Sequence, residues 1–127
     1  MKFKQINART IQTEANDCVV RAMTVALERS YEEMHDVCSA AGRQPRRGMT
    51  AYGIEQALTK VLSLDTKMQF IPRGQRMTFA QFVKQNPTGR YVVIRRGHAV
   101  ALIDGVWHDA HESGCGARAR VMCYFKL

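Results

Sequence analysis

Gly97-His98-Ala99-Val100-Ala101-Leu102-Ile103-Asp104-Gly105-Val106-Trp107-His108-Asp109 is a stretch of two apolar runs joined by Asp-Gly. Asp-Gly in that position is a strong local signal for a two-residue type I′ hairpin, a turn whose central residues both take positive φ. The turn sets a register. Ile103 faces Val106, Leu102 faces Trp107, Ala101 faces His108, and the ladder continues to His98 opposite His111. Side chains alternate across a strand, so His98, Val100 and Leu102 share a face with Trp107, Asp109 and His111. His98 and Asp109 are then diagonal neighbours with Cβ atoms roughly 7 Å apart, close enough for an imidazole and a carboxylate to meet. A slip of one residue would separate them.

Working outward from the hairpin, Lys67–Ile71, Tyr91–Arg95 and roughly Arg120–Phe125 also read as strands, being β-branched or aromatic-rich between Gly-bearing breaks. The first half has a different period. Asn16-Asp17 offers two capping types ahead of a helix from Cys18 to Arg29, in which polar Arg21, Thr24 and Glu28 interrupt an otherwise apolar surface. Ser30-Tyr31-Glu32-Glu33 matches a capping box and opens a second helix that ends at Gly42. Thr50 caps a third, with Ile54, Ala57, Leu58, Val61 and Leu62 on one face. Thr78 opens a short fourth helix that Asn86-Pro87 stops. The pattern predicts an α+β domain, N-terminal helices packed on a C-terminal antiparallel sheet, with one helix as the main core contact of the sheet. The helical part runs to about residue 65 and the sheet part from about 66 to 127.

The chain has 127 residues, of which 46% are apolar and 24% charged. That length suits a single domain, and the composition is globular and not that of a disordered chain. The longest apolar runs, such as Ala99–Ile103, fall far short of the roughly 20 residues that span a bilayer. Met1-Lys2-Phe3-Lys4-Gln5 leads into polar residues and not into the apolar core of an export signal. These features predict a monomer of the reducing cytosol, with no membrane contact. Cys18, Cys38, Cys115 and Cys123 accordingly read as free thiols. No Cys-x-x-Cys pair occurs, and His108-x-x-His111-x-x-x-Cys115 lacks a nominated fourth ligand, so neither a metal nor a cofactor is expected. The net charge is +8. Residues 66–127 carry 10 Lys and Arg against 3 Asp and Glu, whereas the first 65 are nearly balanced. Arg43, Arg46 and Arg47, then Arg95-Arg96, then Arg118 and Arg120 form basic clusters. They point to an anionic partner or to a solvated basic surface, and none matches a nucleic-acid motif.

An imidazole steadied by a carboxylate is half of a nucleophilic site, and Cys18 is the best candidate for the other half. It opens a helix, where unpaired backbone N–H groups and the helix dipole favour a thiolate, and a protonated His98 nearby would favour it further. The backbone N–H of Cys18 is one oxyanion donor, and the side-chain amide of Gln12, folded back over the helix start, is the candidate second. Cys115 is a rival nucleophile, but with no helix terminus beside it the thiol should stay protonated. Cys38 and Cys123 fit core positions. Trp107 shares the His98 face and is a candidate wall of the cleft, with core packing as its ordinary alternative. His111 is a candidate rim residue. His108 points to the opposite face.

Gln12-Thr13-Glu14-Ala15-Asn16-Asp17-Cys18-Val19-Val20-Arg21-Ala22 resembles the Gln-x5-Cys start of papain-like cysteine peptidases, above all the compact branch that includes the leader peptidases of bacteriocin exporters. Gly97–Ile103 is similar to that family's His strand, and Trp107-His108-Asp109 to its Asp strand. The order Gln, Cys, His, Asp agrees. The resemblance implies a papain-like fold with Cys18 as nucleophile, His98 as general base and acid, Asp109 as orienter, Gln12 as oxyanion donor and a peptide or protein as substrate. It also implies a small phage or bacterial accessory protein. Val19 departs from the small residue usual after the Cys, and Ala110-His111 from the Asp-Pro common after the Asp. The sequence thus predicts a cysteine-dependent hydrolase of peptide or isopeptide bonds. Its alternative is a papain-fold effector with little or no turnover that binds an acidic protein or nucleic acid through the basic second half.

Overall fold

The computed structural model describes residues 1–62 and 66–127. The expected boundary between helical and sheet parts, near 65, lies outside the described residues. In chain order the elements are β1 (Lys2–Gln5), α1 (Cys18–Leu27), α2 (Tyr31–Ala40), α3 (Ala51–Leu62), β2 (Gln69–Phe70), α4 (Phe79–Gln85), β3 (Arg90–Arg95), β4 (His98–Ile103), β5 (Val106–Asp109), a 3-10 turn (Glu112–Cys115) and β6 (Cys123–Lys126).

The Asp-Gly hairpin forms as its residues dictate. Asp104 and Gly105 take φ of 46° and 79°, and Ile103, Leu102 and Ala101 pair with Val106, Trp107 and His108. The Asp104 side chain adds a lock by accepting the Gly89 N–H at 2.9 Å. Around this hairpin the sheet has six strands in the order β1-β5-β4-β3-β6-β2. It is mixed and not wholly antiparallel, because β1 runs parallel to β5 with Lys2 opposite Val106 and Gln5 opposite Asp109.

Both faces of the sheet are covered. Val92, Ile94, Ala99 and Ala101 join Val20, Ala22, Met23 and Ala26 of α1 in one core, which also takes in α2 and α3. Ala22, Ala26, Ala99 and Ala101 are all buried there, and their small side chains let the helix lie close along β4. The alternate residues Tyr91, Val93, Val100, Leu102 and Trp107 build a second core with Phe79 and Phe82 of α4. Two-sided burial explains why β3 and β4 read as nearly unbroken apolar runs.

Several local expectations are corrected. Asp17 precedes α1 but makes no capping bond. Its buried carboxylate instead meets Arg9 at 2.6 and 2.9 Å, the Tyr31 hydroxyl at 2.6 Å and Arg21 at 3.3 Å. Ser30 caps α2 through the Glu33 N–H, yet the Glu33 carboxylate pairs with Arg29 and leaves the box half formed. Thr78 and Gln81 complete the reciprocal box at α4. The Arg43–Gly48 loop is not a free basic cluster. Arg43 is 5% exposed and grips Glu14 at 2.9 and 3.0 Å, while the Arg46 guanidinium donates to the Thr13 carbonyl. Among the described residues no helix is long and apolar enough to cross a membrane.

Candidate active site

Three element ends converge at one edge of the fold: the start of α1, the start of β4 and the end of β5. His98 follows the two-residue turn Arg96-Gly97, in which Gly97 takes φ +74°, a conformation that favours glycine. Its Nε2 lies 2.5 Å from Oδ2 of Asp109. The other oxygen of Asp109 accepts the Ala110 N–H at 2.7 Å, so both carboxylate oxygens are committed. With Nε2 held by Asp109, Nδ1 is the ring nitrogen left for sulfur. Cys18, His98 and Ala99 line one cavity, and the His98 ring and the Ala99 backbone act on the sulfur to favour its ionised form.

The electrostatics of the pair follow from these contacts. Burial pushes the Cys18 thiol up, but the His98 hydrogen bond, the Ala99 backbone and the positive charges of His98 and Arg21 outweigh it, so its pKa falls below the ordinary value. The Asp109 and Cys18 hydrogen bonds raise His98 to about 9 against the opposing effect of burial. The two shifts together bias the pair toward a thiolate beside an imidazolium. The other thiols go the opposite way. Burial raises Cys38 to about 11 and Cys115 to about 12, and it raises Cys123 as well. Cys115 is buried in the second core, which disposes of its rivalry as nucleophile.

The first intrahelical bond of α1 runs from the Arg21 N–H to the Asp17 carbonyl. The N–H groups of Cys18, Val19 and Val20 thus have no acceptor within the helix and form a ready set of donors beside the sulfur. Cys18 and His98 also line an apolar cavity of about 180 Å³ with Val19, Met49, Ile54 and Ala99. On the Asp109 side of the ring lies a second cavity, of about 280 Å³, walled by Arg21, Arg95, His98, Asp109, His111 and Ser113. Gly114 packs so tightly over the dyad that a Cβ there would collide with the Asp109 carboxylate and come within 2.8 Å of His98 Nε2.

The remaining candidates fall differently. Gln12 is exposed in a turn and lines a third cavity with Arg9, Arg21 and His111, not the one that holds Cys18. His111 is exposed on the rim shared by the second and third cavities. Trp107 is no cleft wall. It is 0% exposed and stacks on Phe79 with ring centroids 4.3 Å apart. The reason is the sheet's second face: α4 and its phenylalanines cover the strand positions beyond His98. His108 turns its Nδ1 to the Val106 carbonyl. Among the described residues no three His, Cys, Asp or Glu side chains gather as a metal site.

Sequence reasoning missed Arg21, Arg95 and Gly114. Arg21 stands three residues after Cys18, on the polar stripe of the helix, a spacing that carries it to the same side. Arg95 pairs with His98 across the Arg96-Gly97 turn. That pairing follows once the turn is read as a two-residue hairpin. Gly114 carried no local signal, since its closeness to the dyad depends on how the chain returns after β5. Comparison with known protein families, with curated proteins and with solved structures finds no match.

Proposed function

We propose that this protein is a cysteine-dependent hydrolase of peptide or isopeptide bonds, built on a papain-like plan and acting in the cytoplasm. The observation that carries the reading is geometric: Cys18, at the start of α1, lines one cavity with His98, whose Nε2 lies 2.5 Å from the buried Asp109 carboxylate, and this setting lowers the thiol's pKa and raises the imidazole's to about 9. Such a pair supplies a nucleophile and an acid at once. The Cys18 thiolate adds to the substrate carbonyl carbon and forms a C–S bond, while the oxygen takes the negative charge and the first-turn N–H groups of α1 stabilise it. Collapse breaks the C–N bond as His98 gives its proton to the departing amine. Neutral His98 then takes a proton from water, whose oxygen attacks the thioester. The C–S bond breaks, the acid leaves, and thiolate and imidazolium are restored.

The order Gln12, Cys18, His98, Asp109 and the family likeness of their flanking residues support the same plan. Gln12, on the exposed turn beside Arg21, is the candidate for a second oxyanion donor. The test is incubation with peptide, isopeptide and glutamine-containing substrates, read by mass spectrometry, with Cys18→Ser alongside. Cleavage by the wild type alone is the expected result, and equal products from both proteins would remove the mechanism. A second reading, a papain-like binding protein for an acidic partner, draws on the exposed Arg96 and Arg118. It requires capture that survives Cys18→Ala and weakens steeply with salt.

A further inference from the structure

The cavity on the Asp109 side of the His98 ring has an unbalanced charge. Arg21 and Arg95 both line it, and among the described residues Asp109 is its only carboxylate. Asp109 is already committed to His98 and to the Ala110 N–H. Arg21 makes an ion pair with Asp17 at 3.3 Å, but that carboxylate is shared with Arg9 and Tyr31. The Nε of Arg21 is the atom that faces Asp17, whereas the buried Nε of Arg95 has neither a hydrogen bond nor an ion pair among the described residues. Two arginines lining one cavity whose carboxylate is already committed leave it with a positive excess, and a planar carboxylate is the ligand that guanidinium groups fit.

The location says which part of a substrate would use the site. Gly97 and His98 line both this cavity and the apolar one that holds Cys18. The amine expelled as the tetrahedral adduct collapses to the thioester must lie over His98 to receive its proton, a position from which the leaving fragment can reach across the ring toward Arg21 and Arg95. Resting on the hydrolase reading above, we propose that the Arg21–Arg95 cavity binds a carboxylate of the leaving fragment, so that the enzyme selects bonds followed by an acidic side chain or a nearby chain terminus. His111 and Ser113, on the same wall, add polar donors at the rim.

Binding is testable apart from turnover. Cys18→Ala protein is titrated, by NMR or calorimetry, with N-acetylated tetrapeptides: one with a central Glu and an amidated end, one with Gln in its place, and one all-Ala peptide with a free terminal carboxylate. A carboxylate peptide should bind about tenfold tighter than its neutral counterpart, and the Glu and free-terminus arms tell the two sources apart. Arg95→Gln, introduced into the same background, should erase the preference and Arg95→Lys should keep part of it. Arg118→Gln, an exposed arginine outside the cavity, should leave it unchanged. Equal affinity for acid and amide peptides, or equal loss in the Arg95 and Arg118 variants, overturns the proposal. Alkylation of Cys18 by neutral iodoacetamide in the Cys18-containing protein reports separately on the hydrolase reading. A carboxylate preference with an unreactive Cys18 leaves the anion site standing and removes the enzyme, whereas a reactive Cys18 with no preference removes the subsite alone.

Discussion

At the scale of single residues, the site depends on Asp109 supplying charge and not merely a hydrogen-bond acceptor. Asp109→Asn keeps a similar shape but removes the main influence that raises His98 to about 9. The expected result is a fall in kcat of roughly 100-fold or more, with the pH at which Cys18 becomes reactive moving upward. Gly114→Ala tests a different contact. Its methyl group would collide with the carboxylate, so activity should drop while the Cys18 alkylation rate and the far-ultraviolet circular dichroism separate misplacement of the dyad from unfolding. Gln12→Ala decides the role of a side chain that lines the third cavity: kcat lowered by about 100-fold with unaltered Cys18 alkylation marks an oxyanion donor, and unchanged kcat removes it from the mechanism. The dyad was legible before any coordinates because it needs only one local turn and strand alternation. Arg95 follows only once Arg96-Gly97 is also read as a two-residue turn, and Gly114 leaves no local trace because its place depends on how the chain returns after β5.

Among the elements, α1 and the loops that hold its start make the clearest contrast between residue type and actual use. Asp17 looks like a cap, and yet three partners from Arg9, Arg21 and Tyr31 occupy its carboxylate. The cluster was beyond sequence reading because Arg9 and Tyr31 reach Asp17 from 8 and 14 residues away. Glu14 likewise joins Arg43, His35 and the Arg46 N–H. Glu14→Gln strands the buried Arg43 guanidinium, and denaturant unfolding should show a loss of about 3–5 kcal/mol. The expected contrast is Trp107→Ala, which should cost a similar ~3–5 kcal/mol through the core of α4 and the sheet while leaving substrate KM in the surviving folded protein unchanged. A raised KM at constant stability would restore Trp107 to the cleft. β1 was missed for a physical reason. Lys2-Phe3-Lys4-Gln5 offers one apolar residue in four, as edge strands do, and its parallel partner β5 lies more than 100 residues on.

The whole molecule ties stability to the same ionised groups. The folded Asp17 sits at about 2 against an ordinary 3.8: burial alone would raise it, but Arg9, Tyr31 and Arg21 more than offset that. A carboxylate depressed in the native state contributes stability that is complete above its unfolded pKa and lost as pH falls through its folded one. His98 has the opposite sign: its contribution is complete below the ordinary 6.5 and lost as pH rises through about 9. The melting temperature should therefore hold between these limits, fall as pH drops from 3.8 toward about 2, and decline again as pH rises toward about 9. His98→Ala should flatten the alkaline limb and leave the acid limb in place. The layered plan was readable in outline, helices first and hairpin sheet afterwards, because amphipathic period and turn chemistry are local. The mixed sheet order was not, because β1 meets β5 from the far end of the chain, and the covering of the second face was not, because it depends on how α4 folds back onto β3 and β4.

The most direct test follows carbamidomethylation of each cysteine against pH, resolved by peptide mass spectrometry. The account predicts that Cys18 reacts at about pH 7 roughly tenfold or more faster than Cys38, Cys115 and Cys123, with a midpoint below that of an ordinary thiol, and that His98→Ala moves the midpoint upward. Reaction of Cys18 only as pH approaches the ordinary thiol range, unchanged by loss of His98, would contradict it.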